Sequence, residues 1–350
     1  MAVHTAMHGW PRQTTRLALT LTRHLSSGHH ADALVIYGHA YRAALLNQEP
    51  GEQSEALRAL GVAHLLQGHP ATAVDHFERS LVLARQIADP VAQGRALINL
   101  SMAAKQVGRY QASVDYLEQA LVTYQEASDK HGVATSLNSL GVTMQQSGRY
   151  PEAIDYLGRG LALAREIDHQ TVVAYSLNGL GETEVRSGRY EQAAVHFAEA
   201  LELYRHFGNR TGEANVLDGL GTLHTRRGEF DRAIECYQQA LTLFREVGDR
   251  HVETWVLNGL GEATLAAGHP ARALEHHTTA LTVATEIGVR SQQANAHAGL
   301  GHTRAALGDR DEARSHYEQA LTLYTDLGLP EADQIRVHLS AWSGDSIATG

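Results

Sequence analysis

The chain has 350 residues, 43% of them apolar and 19% charged, which places it among folded proteins of one large domain or two ordinary ones. Its formal charge of −10 argues against a nucleic-acid surface, and no apolar run reaches the roughly 18 residues that a membrane span needs. The single cysteine, Cys236, excludes an internal disulfide, and the start MAVHTAMHGWPRQ lacks the basic and apolar stretches of a secretory signal, so a cytoplasmic protein is expected.

In chain order, residues 1–10 read as an N-terminal tail. Residues 11–50 are a weak copy of a repeat that dominates the rest: Gly28, Ala33, Tyr37 and Ala40 fall on its columns, while Leu21 stands where later copies carry a small residue. From 51 to 330, seven units of 40 residues follow in register. A small-residue column runs Gly61, Ser101, Gly141, Gly181, Gly221, Gly261, Gly301, and seven residues later a second runs Gly68, Gly108, Gly148, Gly188, Gly228, Gly268, Gly308. Next come Ala73, Ser113, Ala153, Ala193, Ala233, Ala273, Ala313, then a large residue at Phe77, Leu117, Leu157, Phe197, Tyr237 and Tyr317, broken by His277. A leucine column from Leu81 to Leu321 closes each unit.

Each unit reads as two helices. In the copy starting at Thr171, the first spans Val172 to Arg186, with apolar Leu177, Leu180 and Val185, and Ser187-Gly188 ends it, because glycine tolerates the left-handed cap conformation. The second spans Glu191 to His206, with Ala193, Phe197, Ala200 and Tyr204 at helical spacing. Gly208-Asn209 then ends it, and Asn209, like Asp129 and Asp249 in other copies, is placed to cap the next helix. After the last unit, Glu331 to Trp342 makes a capping helix with Ile335, Leu339 and Trp342 as its apolar stripe, and a tail begins at Ser343.

Glycine inside a helix costs about 1 kcal/mol against alanine, so one kept in nearly every unit has to return more than that in packing. Gly181 and Ala193 lie where the two helices of a hairpin would cross, and small side chains let the backbones approach. This pattern resembles the tetratricopeptide repeat: Leu180-Gly181, Gly188-x-Tyr190, Ala193, Phe197 and Ala200 match its spacing. The departures are Leu177 for the usual Trp, Glu184 for the usual Tyr, and a longer period that lengthens the helices. The resemblance covers most of the chain and implies an all-α, right-handed superhelical solenoid of helix-turn-helix repeats. Such long repeats are typical of bacterial peptide receptors, kinesin light chains and polarity adaptors.

Chemistry is harder to find. The hexapeptide LNGLGE occurs at 177–182 and again at 257–262. Its paired glycines suggest a dinucleotide loop, but the third glycine and the preceding strand are missing. Neither a P-loop nor an H-E-x-x-H motif occurs. His76, His196, His276 and His316 share one column with Cys236. Stacked repeats sit roughly 10 Å apart, too far for successive side chains to meet on an ion at about 2 Å, so no metal, cofactor or catalytic group is expected.

In a stack of hairpins the first helices line the concave face. With Asn178 at the centre of that face, Tyr175, Glu182, Val185 and Arg186 fall on the same side. The equivalent columns vary from unit to unit, as residues that read a ligand are free to do. Asn138, Asn178 and Asn258 form an interrupted ladder whose amides suit the N–H and C=O of a bound peptide. Tyr175 and Trp255 are candidate aromatic anchors, and Asn215 shares their column. Arg186 and Arg226 suit carboxylates, whereas Glu182, Asp218 and Glu262 suit basic groups. The competing reading is an ordinary solvated helix face.

The stretches GDRHVETWVLNGLGEATLAAGHPARALEHHTTAL and SGHHADALVIYGHA resemble the C-terminal repeat domain of large actinomycete regulators, the SARP-type activators and related NB-ARC ATPases. The rarity of lysine, Lys105 and Lys130 among 29 basic residues, fits the GC-rich coding of such bacteria. The resemblance implies a sensor module that takes a peptide or partner segment and acts on DNA-binding and ATPase domains lying upstream. A stand-alone signalling-peptide receptor or assembly adaptor is the alternative, and an enzyme a distant third.

Overall fold

A computed structural model describes residues 30–343. The expectations for the N-terminal tail, Leu21, Gly28, the side chain of Trp342 and the tail from residue 344 lie outside the described residues. The described residues form sixteen helices and contain no strand.

Two compact units divide at Ser187/Gly188. The first holds α1 (His30–Asn47), α2 (Pro50–Leu66), α3 (Pro70–Gln86), α4 (Pro90–Gln106), α5 (Tyr110–Glu126), α6 (Lys130–Gln146), α7 (Tyr150–Glu166) and α8 (Gln170–Arg186). The second holds α9 (Tyr190–His206), α10 (Arg210–Arg227), α11 (Phe230–Val247), α12 (Arg250–Ala266), α13 (Pro270–Glu286), α14 (Arg290–Leu307), α15 (Arg310–Leu327) and α16 (Glu331–Ser343). Where the sequence places helix starts at Val172 and Glu191, the helices begin at Gln170 and Tyr190; the first helical turn carries no periodic apolar signal by which to place it.

Within each unit every helix packs on the next, and first helices also touch first helices: α2, α4, α6 and α8 in succession in the first unit, and α10, α12 and α14 in the second. That contact makes a continuous first-helix face in each unit. The glycine columns explain how the helices approach. A Cβ at Gly61 would lie 2.4 Å from the Phe77 ring, at Gly141 2.4 Å from Leu157 Cγ, and at Gly301 2.6 Å from the Tyr317 ring. These are the crossings inside one hairpin. The other glycine of the pair meets the preceding hairpin instead: a Cβ at Gly219 would lie 2.6 Å from Phe197, and at Gly259 3.0 Å from Tyr237. One large side chain is thus clamped between two glycines from successive first helices, which forces both neighbours to stay small.

His277, which breaks the aromatic column in the sequence, fills the same slot. It is 1% exposed, with Gly261 and Gly299 against its ring. The apolar columns bury as their periodicity requires: Ala73, Phe77, Leu157, Ala193, Phe197 and Ala313 are fully enclosed. At the end of the chain, Ala332 and Ile335 of α16 are buried against Tyr317 and Tyr324, with Leu339 packed beside them.

The caps follow sequence logic. Asn209 Oδ1 accepts from Gly212 N at 3.0 Å, Asp129 Oδ1 from His131 N at 3.0 Å, and Asp249 Oδ1 from Val252 N at 3.2 Å. Gly188 and Gly208 take the left-handed conformation, with φ of +75° and +63°. The turn that enters each new repeat is built differently in the two units. Gln48, Ala88, Ser128 and Asp168 hold φ of +51° to +55° in the first unit, where Gly208, Gly248, Gly288 and Gly328 serve in the second. No helix among the described residues is long and apolar enough to cross a membrane.

Candidate functional site

In the first unit, α4, α6 and α8 present a pocket of about 520 Å³. Its apolar lining includes Ile98, Met102 and Val142, and its polar groups are Lys105, Asn138, Asn178 and Glu182, with Tyr175 at the side. Helical spacing produces this face: Asn178 and Glu182 are one turn apart on α8, and Asn138 is the equivalent of Asn178 one repeat earlier.

The polar groups form a partly completed network. Asn178 Nδ2 donates to Glu182 Oε1 at 2.8 Å, and Gln145 Nε2 donates to Glu182 Oε2 at 3.2 Å. Asn138 Nδ2 donates to Ser176 Oγ at 3.3 Å, and Asn138 is 9% exposed. Asn178 Oδ1 is buried and accepts no hydrogen bond. Desolvation raises the Glu182 carboxyl above its ordinary pKa, against the lowering effect of the Gln145 and Asn178 donors and of Arg186. Burial also holds the Lys105 ammonium below the ordinary lysine value. Tyr175 is 50% exposed at this face and Arg186 is exposed beyond it, whereas Val185 turns into the core.

The second unit uses the same columns differently. Asn215, Trp255 and Arg226 are exposed, Trp255 at 52%, and Asp218 is half-buried. Glu262 is open to solvent on one side, yet the protein around it still raises its carboxyl, with Arg226 opposing the shift. Asn258 departs from the expected ladder. It is 4% exposed, its Nδ2 donates to Gln292 Oε1 at 3.1 Å, and its Oδ1 lies 3.4 Å from His277 Nδ1. Both ends of that amide are engaged in the core, so it offers nothing to a ligand.

Lys105 and Gln145 are site residues that the column reading passes over. The signal was present: Lys105 is one of two lysines, and it and Gln145 share a column otherwise filled by Leu65, Val185, Thr225, Leu265 and Ala305. Histidine pairs occur in both units, His64 with His76 and His131 with His169 in the first, and a further group lies at the end of the second. His297 Nδ1 and His316 Nδ1 are 3.0 Å apart, His302 Nδ1 is 2.7 Å from the Tyr317 hydroxyl, and the His302 and His338 rings are 4.8 Å apart. Burial pushes His297 and His302 down to about 4 and His277 to about 3, so all three are neutral at physiological pH. Among the described residues no three His, Cys, Asp or Glu side chains are placed to share a metal ion.

Tetratricopeptide-repeat family models match residues 93–166, 171–246, 212–286 and 252–326, and another matches 22–90. No curated protein sequence matches the chain. Among solved structures, the apo form of the quorum sensor NprR from B. thuringiensis is similar at 15% identity and a TM-score of 0.65, over 88% of this chain and 87% of that one. A Rap protein complexed with Competence and Sporulation Factor is similar at 12% identity and a TM-score of 0.65, over 96% of this chain and 98% of that one. The STAND protein PH0952 from Pyrococcus horikoshii, which carries a tetratricopeptide repeat sensor, is similar at 15% identity and a TM-score of 0.61, over 91% of this chain and 54% of that one. At these identities the likeness is one of fold. Repeat matches running over most of the sequence, and hairpins closed by the small-residue columns that define the repeat, establish that the chain belongs to the tetratricopeptide-repeat family.

Proposed function

We propose that the chain is a non-catalytic binding module that takes an extended peptide or a segment of a partner protein along the first-helix face of its first unit. The observation that carries this reading is Asn178 Oδ1, a buried acceptor with no donor, at the edge of an apolar-lined pocket and beside the half-exposed ring of Tyr175. An unmade hydrogen bond of this kind costs about 1–3 kcal/mol, and a peptide N–H would recover it. A neighbouring aromatic ring supplies contact area at little entropic cost. On this reading Asn138, Glu182 and Arg186 flank the ligand. Asn215, Asp218, Arg226, Trp255 and Glu262 form a second contact surface, and Asn258 holds the core.

The biological role that fits is a regulatory sensor: the module of a bacterial transcriptional regulator whose DNA-binding and ATPase domains respond to the ligand. Likeness to the sensor-bearing STAND protein supports it. The alternative is a free-standing signalling-peptide receptor, and likeness over nearly the whole of the Rap protein chain supports that. A pull-down from lysate with wild type, Asn178→Ala and Tyr175→Ala tests the site. Loss of the captured partner in both variants is expected; capture at wild-type level by both would place the ligand elsewhere.

A further inference from the structure

The first-helix face of the first unit carries a charge pattern of its own. On α4, Arg95, Ile98, Met102 and Lys105 are spaced three, four and three residues apart and so share one face. Lys105, Met102 and Ile98 line the pocket described above, and Arg95 lines an adjoining hollow that shares Ile98 and Thr135 with it. The stripe therefore reads cation, apolar, apolar, cation along two adjoining hollows.

Neither cation is ion-paired. Among the described residues Arg95 and Lys105 make no ion pair, although ion pairs are frequent on the rest of the surface. The other charged groups nearby make their hydrogen bonds elsewhere. Arg58 is paired with Glu55, Asp129 caps α6, and Glu182 is held by Asn178 and Gln145. Lys105 is also the only charged residue in its column, which holds Leu65, Gln145, Val185, Thr225, Leu265 and Ala305 in the other repeats, so no other repeat places a charge there. A lysine half-buried in a pocket, unpaired, and in a chain of net charge −10 is hard to explain by the fold.

We infer that this stripe anchors an acidic peptide, with one carboxylate on Arg95, a second on Lys105 and an apolar side chain between them on Ile98 and Met102. The spacing narrows the ligand further. Arg95 and Lys105 lie ten residues apart on a helix, about 15 Å at 1.5 Å per residue. In an extended chain, side chains two and four positions on point the same way, and four residues span about 13 Å. The long basic side chains close the remaining gap. The recognised pattern is acidic-x-apolar-x-acidic.

This inference rests on the peptide-binding reading, and the test separates the two. A random short-peptide library is selected on the full chain, and enriched sequences are measured by fluorescence anisotropy against wild type, Lys105→Gln, Lys105→Leu, Arg95→Gln and Asn178→Ala. Enrichment of acidic-x-apolar-x-acidic is expected, with binding about tenfold weaker for either Lys105 variant, a few-fold weaker for Arg95→Gln, and further reduced by salt. The melting temperature of Lys105→Leu should equal or exceed that of wild type, since leucine is native to that column; a lower one would make Lys105 a structural residue and overturn the inference. Enriched peptides without acidic residues, bound equally by the Lys105 variants but lost in Asn178→Ala, would also overturn it while leaving the peptide-binding reading in place. No enrichment over a blank surface would remove both.

Discussion

The two units carry the same hexapeptide, LNGLGE, in the same place in the repeat, and they use its asparagine in opposite ways. In the first unit Asn178 borders a pocket with its Oδ1 unsatisfied. In the second, Asn258 is sealed between His277 and Gln292. The hexapeptide does not make the difference; residues 19 and 34 positions further on do. His277 and Gln292, both in the second unit, supply the polar partners that hold Asn258. An identical local sequence thus becomes a candidate ligand contact or a core element according to its neighbours in space.

The largest expected effect tests what the units share. Gly61→Val in the first unit and Gly301→Val in the second should each destabilise by about 4 kcal/mol in urea titrations, because the new side chain would enter the Phe77 or Tyr317 ring. Tolerance at either position would mean that the hairpin crossing can relax and that small residues there are not required.

A pH titration should separate the units next. His277, His297 and His302 are held far below the ordinary histidine value of 6.5 by burial. The unfolded chain therefore takes up protons first as pH falls. Stability is full above the unfolded value and is lost progressively between pH 6.5 and about 4, with His277 contributing down to about 3. The second unit should lose several kcal/mol over that window, most of it through fully buried His277. His277→Phe should remove its share of the dependence; at neutral pH it relieves the unpartnered His277 Nε2 but leaves buried Asn258 Oδ1 without its partner, so the melting temperature should change little. A pH profile unchanged in that variant would show that His277 does not titrate against folding.

The asparagines give a smaller and sharper contrast. Asn258→Ala should destabilise by about 2 kcal/mol, since it leaves buried groups on His277 and Gln292 unpaired, whereas Asn178→Ala should cost less, about 1 kcal/mol, because the lost donor to Glu182 is partly offset by removal of the unpartnered Oδ1. Equal effects in thermal melts would erase the distinction drawn between the two sites. Last come the repeat-entry turns, where the first unit holds Ala88 and Ser128 in the left-handed region. Ala88→Gly should stabilise by about 1 kcal/mol, and Gly248→Ala should destabilise by a similar amount. Reversal of either sign would show that contacts at the turn outweigh its backbone preference.

Much of this was legible in the sequence. The repeat, its two helices, the caps at Asp129, Asn209 and Asp249, and the packing role of the glycines depend on neighbours close in the chain or on periodicity, and both are written directly in residue order. The site was legible only in part. Counting 100° per residue puts Asn178, Tyr175 and Glu182 on one helix face, but it treats Asn258 identically and turns Val185 outward. It also passes over Lys105, the only charged residue in its column. A helix face is a local property. Whether a residue on it meets solvent, a pocket or another side chain depends on the helix of the next repeat, some 30 to 40 residues away.

The residue order alone therefore determined an all-helical repeat array and the places where helices must touch, because a column of small residues matched to a column of large ones has one economical packing. Only the tertiary structure decided which polar groups were left unsatisfied. That Asn178 Oδ1 faces a pocket, that Lys105 lies in it without a counter-ion, and that His277 replaces an aromatic ring while tying up Asn258 all follow from which side chains from different repeats come within hydrogen-bonding distance. Hydrogen bonds and ion pairs act over a few ångströms, and the spacing of the columns does not specify distances that short.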